Sequence, residues 1–213
     1  MAKKPLSSMA PAGAEQTGDG QLPSWANSSE RYGSIAQALH WSIAVLFLVC
    51  YVAVYYRHWF TLPKTPANWI ALQTHLVAGV AVAALVVARV FWFFRSIQPD
   101  DPPGTRFEHL ASHGMHGALY LFMIVMPISG YLGTGVAIEF MGLGDIPSFK
   151  DTGLFTSLGV AWEAFEKPVD FVHKNSGAYL VWVLVLLHAS AALFHHYVKR
   201  DDVLRRMLPR RLP

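Results

Sequence analysis

Four stretches of this chain contain no Lys, Arg, Asp or Glu: Tyr32–Tyr56 (25 residues), Thr65–Ala88 (24), His109–Ile138 (30) and Asn175–Val198 (24). A helix that crosses a bilayer needs about 20 predominantly apolar residues, since each adds about 1.5 Å across a hydrocarbon layer about 30 Å thick. Within that layer the backbone must satisfy its own hydrogen bonds, which a helix does. The windows therefore predict an all-α protein, an integral membrane four-helix bundle with spans at 36–56, 69–93, 112–134 and 174–197. Charged residues make up 15% of the chain and hydrophobic ones 53%, whereas a soluble domain is about 25% charged. A soluble enzyme is excluded.

The cations divide unequally between the two sides. The side of the N-terminus holds Lys3, Lys4, Arg31, Arg89, Arg95, Arg106, Lys199, Arg200, Arg205, Arg206, Arg210 and Arg211, which is 12 of the 17. The other side holds Arg57, Lys64, Lys150, Lys167 and Lys174. By the positive-inside rule, N- and C-termini are both cytoplasmic. The expected organisation is a flexible cytoplasmic tail over 1–30, a transmembrane domain over 31–200 with a long outer loop at 137–172, and a basic cytoplasmic tail over 201–213. The first thirty residues lack the apolar run of a signal peptide, so the first span is expected to drive insertion. The basic cluster follows directly on an apolar span, which suits membrane lipid and argues against nucleic acid as a partner. The outer loop carries six acids, Glu139, Asp145, Asp151, Glu163, Glu166 and Asp170, and an aromatic stretch, 162–171, expected along the interface.

The lone cysteine, Cys50, rules out an internal disulfide and any cysteine-based metal cluster, and reads as bundle filler or a lipid-facing residue. No Ser/His/Asp arrangement and no phosphate-cradling glycine motif stands out, so no catalytic residue is identified and nicotinamide chemistry is unsupported.

What remains is a contradiction, because the chain holds 10 histidines and most lie within or beside the uncharged windows. Ionisable groups in a bilayer are costly and mark function by default. Depth sorts them. His40 lies about two turns into the first span from the inner face, and His188 lies about 11 Å before His195, similarly deep from that face. His75 enters the second span from outside, and His173 begins the fourth there. Two pairs result, His40 with His188 inside and His75 with His173 outside. A small residue follows each by one turn, at Ala44, Gly79, Gly177 and Ala192. Residues at i and i+4 share a helix face, so each histidine has room beside it for a flat macrocycle. Small residues also serve helix packing, and a single membrane histidine commonly bonds a neighbouring helix. Two depth-matched pairs favour ligation instead. Zinc gathers four protein ligands at one point, whereas two imidazoles per level suit the axial positions of haem iron. Two haems stacked in one bundle would carry electrons across the membrane.

At these residues the chain resembles the bacterial cytochrome b561 family. The matching pieces are Ala38-Leu39-His40-Trp41, His75 with Arg89 fourteen residues on, and His113 and His116 with Pro127. The most specific is the run from His188 to Tyr197, followed by Lys199-Arg200-Asp201 and the block Leu204–Pro209. The likeness covers roughly 31–209 and implies a dihaem b-type cytochrome of the bacterial cytoplasmic membrane. It implies two haem b, with His40 and His188 holding the inner and His75 and His173 the outer. It further implies superoxide oxidation at the outer face, with electrons passed to ubiquinone near the inner face. The family spaces its last two ligands by fourteen residues, against fifteen here, which predicts a local bulge near Asn175-Ser176. The outer loop is longer than in compact members. Its Lys150, Lys167 and Lys174 could attract an anion, but the six acids oppose them.

The other polar groups then acquire candidate roles. His116, His195 and Arg89 are expected near the inner face, in a quinone site or against haem propionates; His195 is seven residues from His188 and points the same way. His116 also stands as an alternative ligand to His40. His113 is a further proton-handling candidate, His196 a residue that reaches the interface, and His58 and His109 plain interfacial residues. Arg31, Arg89 and Arg95 could pair with propionates, which Arg binds bidentately, or serve only to set orientation. Two other readings of the chain stay open. One is a membrane-anchor cytochrome b subunit that relays electrons between quinone and a periplasmic dehydrogenase or hydrogenase, with the acidic loop as its docking surface. The other is a non-redox transporter or assembly bundle.

Overall fold

The computed structural model of the chain describes residues 24–140 and 142–209. Four helices in it are long and apolar enough to cross a membrane. The first three are α1 (Ser34–Phe60), α2 (Pro66–Arg95) and α3 (Arg106–Gly133). Polar caps set their starts. Thr65 accepts from the Asn68 amide ahead of Pro66, and Thr105 with Glu108 forms a reciprocal capping box. Such caps satisfy amides left over at a helix start. The helices therefore begin a few residues before the expected spans; α1 and α2 also end a few residues beyond them, while α3 ends one residue short.

The fourth membrane helix differs most from expectation. It runs unbroken from Trp162 to Lys199, 38 residues, so His173 lies well inside a helix instead of opening one. It comprises α5 (Trp162–Asn175), a π-helical turn at Ser176–Leu180, α6 (Val181–Phe194) and a second π-helical turn at His195–Lys199. Single π-turns insert one residue into an α-helix and concentrate at functional positions. The first stands where the fifteen-residue spacing predicts a bulge, and it restores the facing that fourteen residues would give. The Tyr51 hydroxyl of α1 donates to the Gly177 carbonyl at 2.7 Å, tying this turn to the bundle.

The segment between α3 and α5 is a compact cap. A short antiparallel pair, β1 (Ile138–Glu139) with β2 (Asp145–Ile146), leads into a 3₁₀ turn at Phe149–Thr152 and the five-residue α4 (Leu154–Leu158). Phe155 and Phe165 pack on Trp162, and Phe149 packs on both phenylalanines; Trp162 is buried instead of sitting at an interface. Gln73 of α2 fastens the cap, donating to the Ala137 carbonyl and accepting from the Glu139 amide.

Inside the bundle, Ile43, Val82 and Val86 form the core, with Leu46, Phe47, Leu85, Val90 and Met123 around them. Val45, Leu48, Val87, Phe94 and Leu186 are exposed, as side chains that meet lipid should be.

Neither end segment is a free tail where it is described. Asn27, 1% exposed, donates to the Ser96 hydroxyl and the Ile97 carbonyl and accepts from the Gly33 amide. Three side chains hold the other end down through its backbone carbonyls: Gln37 on Arg206, Trp41 on Met207 and Arg31 on Leu208. Arg31 is thereby occupied by the chain itself. The rest of the expected tails, 1–23 and 210–213, lies outside the described residues.

Candidate functional site

The four histidines meet in the pairs that depth suggests. His40 of α1 and His188 of α6 have ring centroids 6.1 Å apart. His75 of α2 and His173 of α5 are also 6.1 Å apart. Each pair thus joins two helices across the bundle, one pair toward the end where the terminal segments meet and one toward the cap.

The spacing has chemical meaning. A metal–imidazole bond is about 2.0–2.1 Å, and the ring centre lies about 1 Å beyond the nitrogen. Two imidazoles on opposite sides of one ion therefore stand about 6 Å apart, centre to centre. Among the described residues no cluster of three or more His, Cys, Asp or Glu side chains is placed to hold a bare ion. Two ligands per site suit an ion that brings its other ligands with it, as haem iron does.

The cap-side pair is held by the backbone. His75 Nδ1 donates to the Cys50 carbonyl at 3.0 Å. His173 Nδ1 donates to the Met126 carbonyl at 3.0 Å, with the Ser129 oxygen 3.2 Å away. A carbonyl oxygen only accepts, so both protons sit on Nδ1 and both Nε2 atoms keep their lone pairs. Bonds of this kind orient metal-binding histidines. Interhelical bonding and metal ligation, posed as rivals by the sequence, would use different nitrogens, so the bonds seen here are compatible with ligation. Close approach matters too: a side chain at Gly130 would put its Cβ 2.8 Å from His173 Cε1. Of the small residues one turn on, Gly79 opens on free space beside His75, whereas Gly177 faces Met126 Cε at 3.1 Å and serves packing.

The terminal-side pair has a different setting. Among the described residues the His40 and His188 rings make no hydrogen bond. His116 of α3 instead comes within 5.5 Å of His188, centre to centre, and Arg89 lies within electrostatic range of all three rings. Arg89 donates to the Tyr120 hydroxyl and the Ala36 carbonyl. Beside it a small cavity is lined by Tyr32, Ala36, Arg89, Trp92, Phe93 and Tyr120, and the buried Trp92 Nε1 has no partner among the described residues. Burial raises the Tyr32 phenol above its ordinary value.

The remaining candidates separate. His195 takes Asp201 as its partner. His113 bonds the His109 carbonyl and, like His109, faces Asp101 at the surface. His196 Nδ1 is buried and unpartnered among the described residues. Arg95 is exposed. Sequence reasoning passed over Cys50, Met126, Ser129 and Gly130, because two of them act through carbonyls that every residue has. Ser129-Gly130 behind Pro127 was the one available signal: a hydroxyl and a missing side chain side by side in an uncharged span.

Four membrane-length helices with imidazoles paired across their interior at two levels define a helical membrane bundle whose geometry suits a planar metal cofactor. The family model for prokaryotic cytochrome b561 matches residues 31–210. The chain belongs to that family, whose members are bacterial multi-pass membrane b-type cytochromes that transfer electrons. It is 30% identical over 186 residues to cytochrome b561 homolog 1 of Escherichia coli K12, covering 85% of this chain and 98% of that one. Homolog 2 of the same organism is 32% identical over 200 residues, 87% of this chain and 95% of the relative. A Yersinia pestis protein, "Probable superoxide oxidase CybB", is 25% identical over 190 residues, 85% and 98% of the two chains.

Proposed function

We propose that this protein is a dihaem cytochrome of the cytoplasmic membrane that moves electrons from a donor at its outer face to ubiquinone near its cytoplasmic face. The observation that carries this reading is the duplication of one geometry, two imidazole pairs each 6.1 Å apart on different helix pairs. Bound between these pairs, two haem b groups would supply one-electron carriers at two depths. His75 and His173 present Nε2 because the Cys50 and Met126 carbonyls hold their Nδ1 protons. His40 and His188 serve the cytoplasmic-side position, with Arg89 as the nearby cation for a carboxylate-bearing group. His116 and His195 stand at that same side, where a reduced quinone must take up protons, and histidine suits the task.

Superoxide is the best donor on present grounds, given the relative described as a superoxide oxidase. Electrostatic support at the outer face is narrow, since Lys174 is paired with Asp170 at 2.5 Å. Lys150 and Lys167 are left as exposed cations among the outer acids. That acid-rich cap supports the second reading, a cytochrome subunit that docks a periplasmic redox partner.

A reduced-minus-oxidised spectrum of the purified protein, with haem counted per chain, tests the core claim: two haem b are expected, and none would end it. Rapid mixing with superoxide should then reduce the haem, and added ubiquinone should reoxidise it. Failure of the first step, with a second chain co-purifying, would favour the docking subunit.

A further inference from the structure

His195 leaves its helix through an unusual exit. The π-helical turn His195–Lys199 ends on Arg200 in a left-handed conformation, φ 57°, which non-glycine residues seldom adopt. The chain then doubles back, and the Asp201 amide donates to the His195 carbonyl at 3.2 Å. This return brings Asp201 Oδ2 to 2.5 Å from His195 Nδ1. The other carboxylate oxygen accepts from the Val203 amide at 3.1 Å. Asp201 is therefore fixed at both oxygens, and the neighbouring charges are engaged elsewhere: Lys199 with Glu108 of α3, Asp202 with Arg205. Both partners are half-buried, with 22% and 25% of their side chains exposed.

A carboxylate only accepts hydrogen bonds, so the shared proton belongs to His195 Nδ1. That leaves Nε2 as the ring nitrogen free for other chemistry. A carboxylate that fixes the tautomer and orientation of a proton-transferring imidazole is a general device. We propose that Asp201 is the positioning residue for His195, committing Nε2 to proton exchange with a bound quinone; this rests on the reading of His195 as a quinone-site residue. The step balances. A His195 carrying protons on both nitrogens gives the Nε2 proton to a quinone oxygen as that quinone accepts one electron from the outer-face donor. The Nε2–H bond breaks and an O–H bond forms. His195 is left neutral with its Nδ1 proton still on Asp201, and cytoplasmic water returns a proton to Nε2. Two such rounds, with two electrons, turn quinone into quinol, and Asp201 stays ionised throughout.

The test uses the haem-loaded protein and the variants Asp201→Asn, Asp201→Glu and His195→Gln, all compared at equal haem content. Two things are read: ubiquinone-dependent reoxidation of the haem, and the nitrogen-15 resonances of His195, which report which ring nitrogen carries the proton. Asp201→Asn should lower turnover about 10- to 100-fold, a part of the roughly 10²–10⁴-fold that positioned proton transfer contributes, with a smaller change in quinone KM and loss of the pure Nδ1–H form. Asp201→Glu, which keeps the charge, should recover most of both signals and serves as the control for folding. Asp201→Asn with unchanged turnover and an unchanged His195 signal would overturn the inference. So would a loss of turnover with the tautomer intact and no rescue by Glu, since that marks a merely structural role. If His195→Gln is slow while Asp201→Asn is not, the quinone reading survives and the positioning role fails. If His195→Gln reduces quinone at the parent rate, the quinone reading itself falls and takes the inference with it.

Discussion

The two histidine pairs share a spacing and differ in nearly everything around it. The cap-side pair is bolted to the backbone through Nδ1 bonds to the Cys50 and Met126 carbonyls, and Gly130 lets α3 press against the His173 ring. The terminal-side pair has no such bonds among the described residues. Near it stand a third imidazole, a guanidinium and a small cavity that the guanidinium helps to line. The contrast matches what each end would do under the proposed function. A site that only exchanges electrons gains from rigid ligands, because little need move when charge passes. A site beside proton chemistry needs ionisable neighbours, and those cannot all be fixed in one hydrogen-bonded arrangement.

The largest effects should come from the four paired histidines. His75→Ala or His173→Ala should remove roughly half the haem per chain, and His40→Ala or His188→Ala the other half, each pair sparing the other. Haem quantitation and low-temperature difference spectra would show it. Loss of both haems from any single substitution would break the assumption that the sites are independent. If His116→Ala removes the terminal-side haem while His40→Ala leaves it, the ligand on that level is reassigned.

Next in size is Gly130→Val. Its side chain would drive into the His173 ring, and cap-side haem affinity should fall about 10- to 100-fold, as for loss of an orienting partner. The terminal-side haem should keep its spectrum. Ser129→Ala, which removes one oxygen beside the same ring, should do less than Gly130→Val in the same titration.

At the other end, Asn27→Ala deletes a buried side chain that makes three hydrogen bonds. It should cost about 1–3 kcal/mol, read as a lowered Tm, without disturbing the cap-side site. The smallest effect expected is a pH dependence at Asp201. Burial alone would raise its carboxyl, but the His195 hydrogen bond and the Val203 amide outweigh this and hold it below its ordinary value of 3.8. The folded group is the stronger acid, so its contribution is fully present above the unfolded value. It is lost as pH falls through the lower folded value. Thermal unfolding between pH 6 and 3 should therefore fall more steeply for the parent than for Asp201→Asn. Equal slopes would show that the ion pair adds nothing to stability.

The bundle was legible because the absence of charge over 24 or more residues admits few folds in a bilayer, and the turn-by-turn depth of a histidine follows from helix rise. The bulge before Leu180 was legible for the same reason, as one residue too many between two histidines on one face. What escaped was local and non-periodic. Trp162 reads as an interfacial residue until the cap's phenylalanines enclose it. Residues 24–30 read as part of a tail, since a single Asn27 with three partners leaves no pattern along the chain.

The sequence by itself determined that this protein is a membrane bundle and which four histidines lie at matched depths, because hydrophobic length and helical period are properties of one chain segment at a time. Only the tertiary structure decided which nitrogen of His75, His173 and His195 is held, which glycine touches a ring and where Asp201 turns back to His195. Those depend on carbonyls and side chains from different helices meeting within about 3 Å, the reach of a hydrogen bond, and no spacing along one strand of sequence records that meeting.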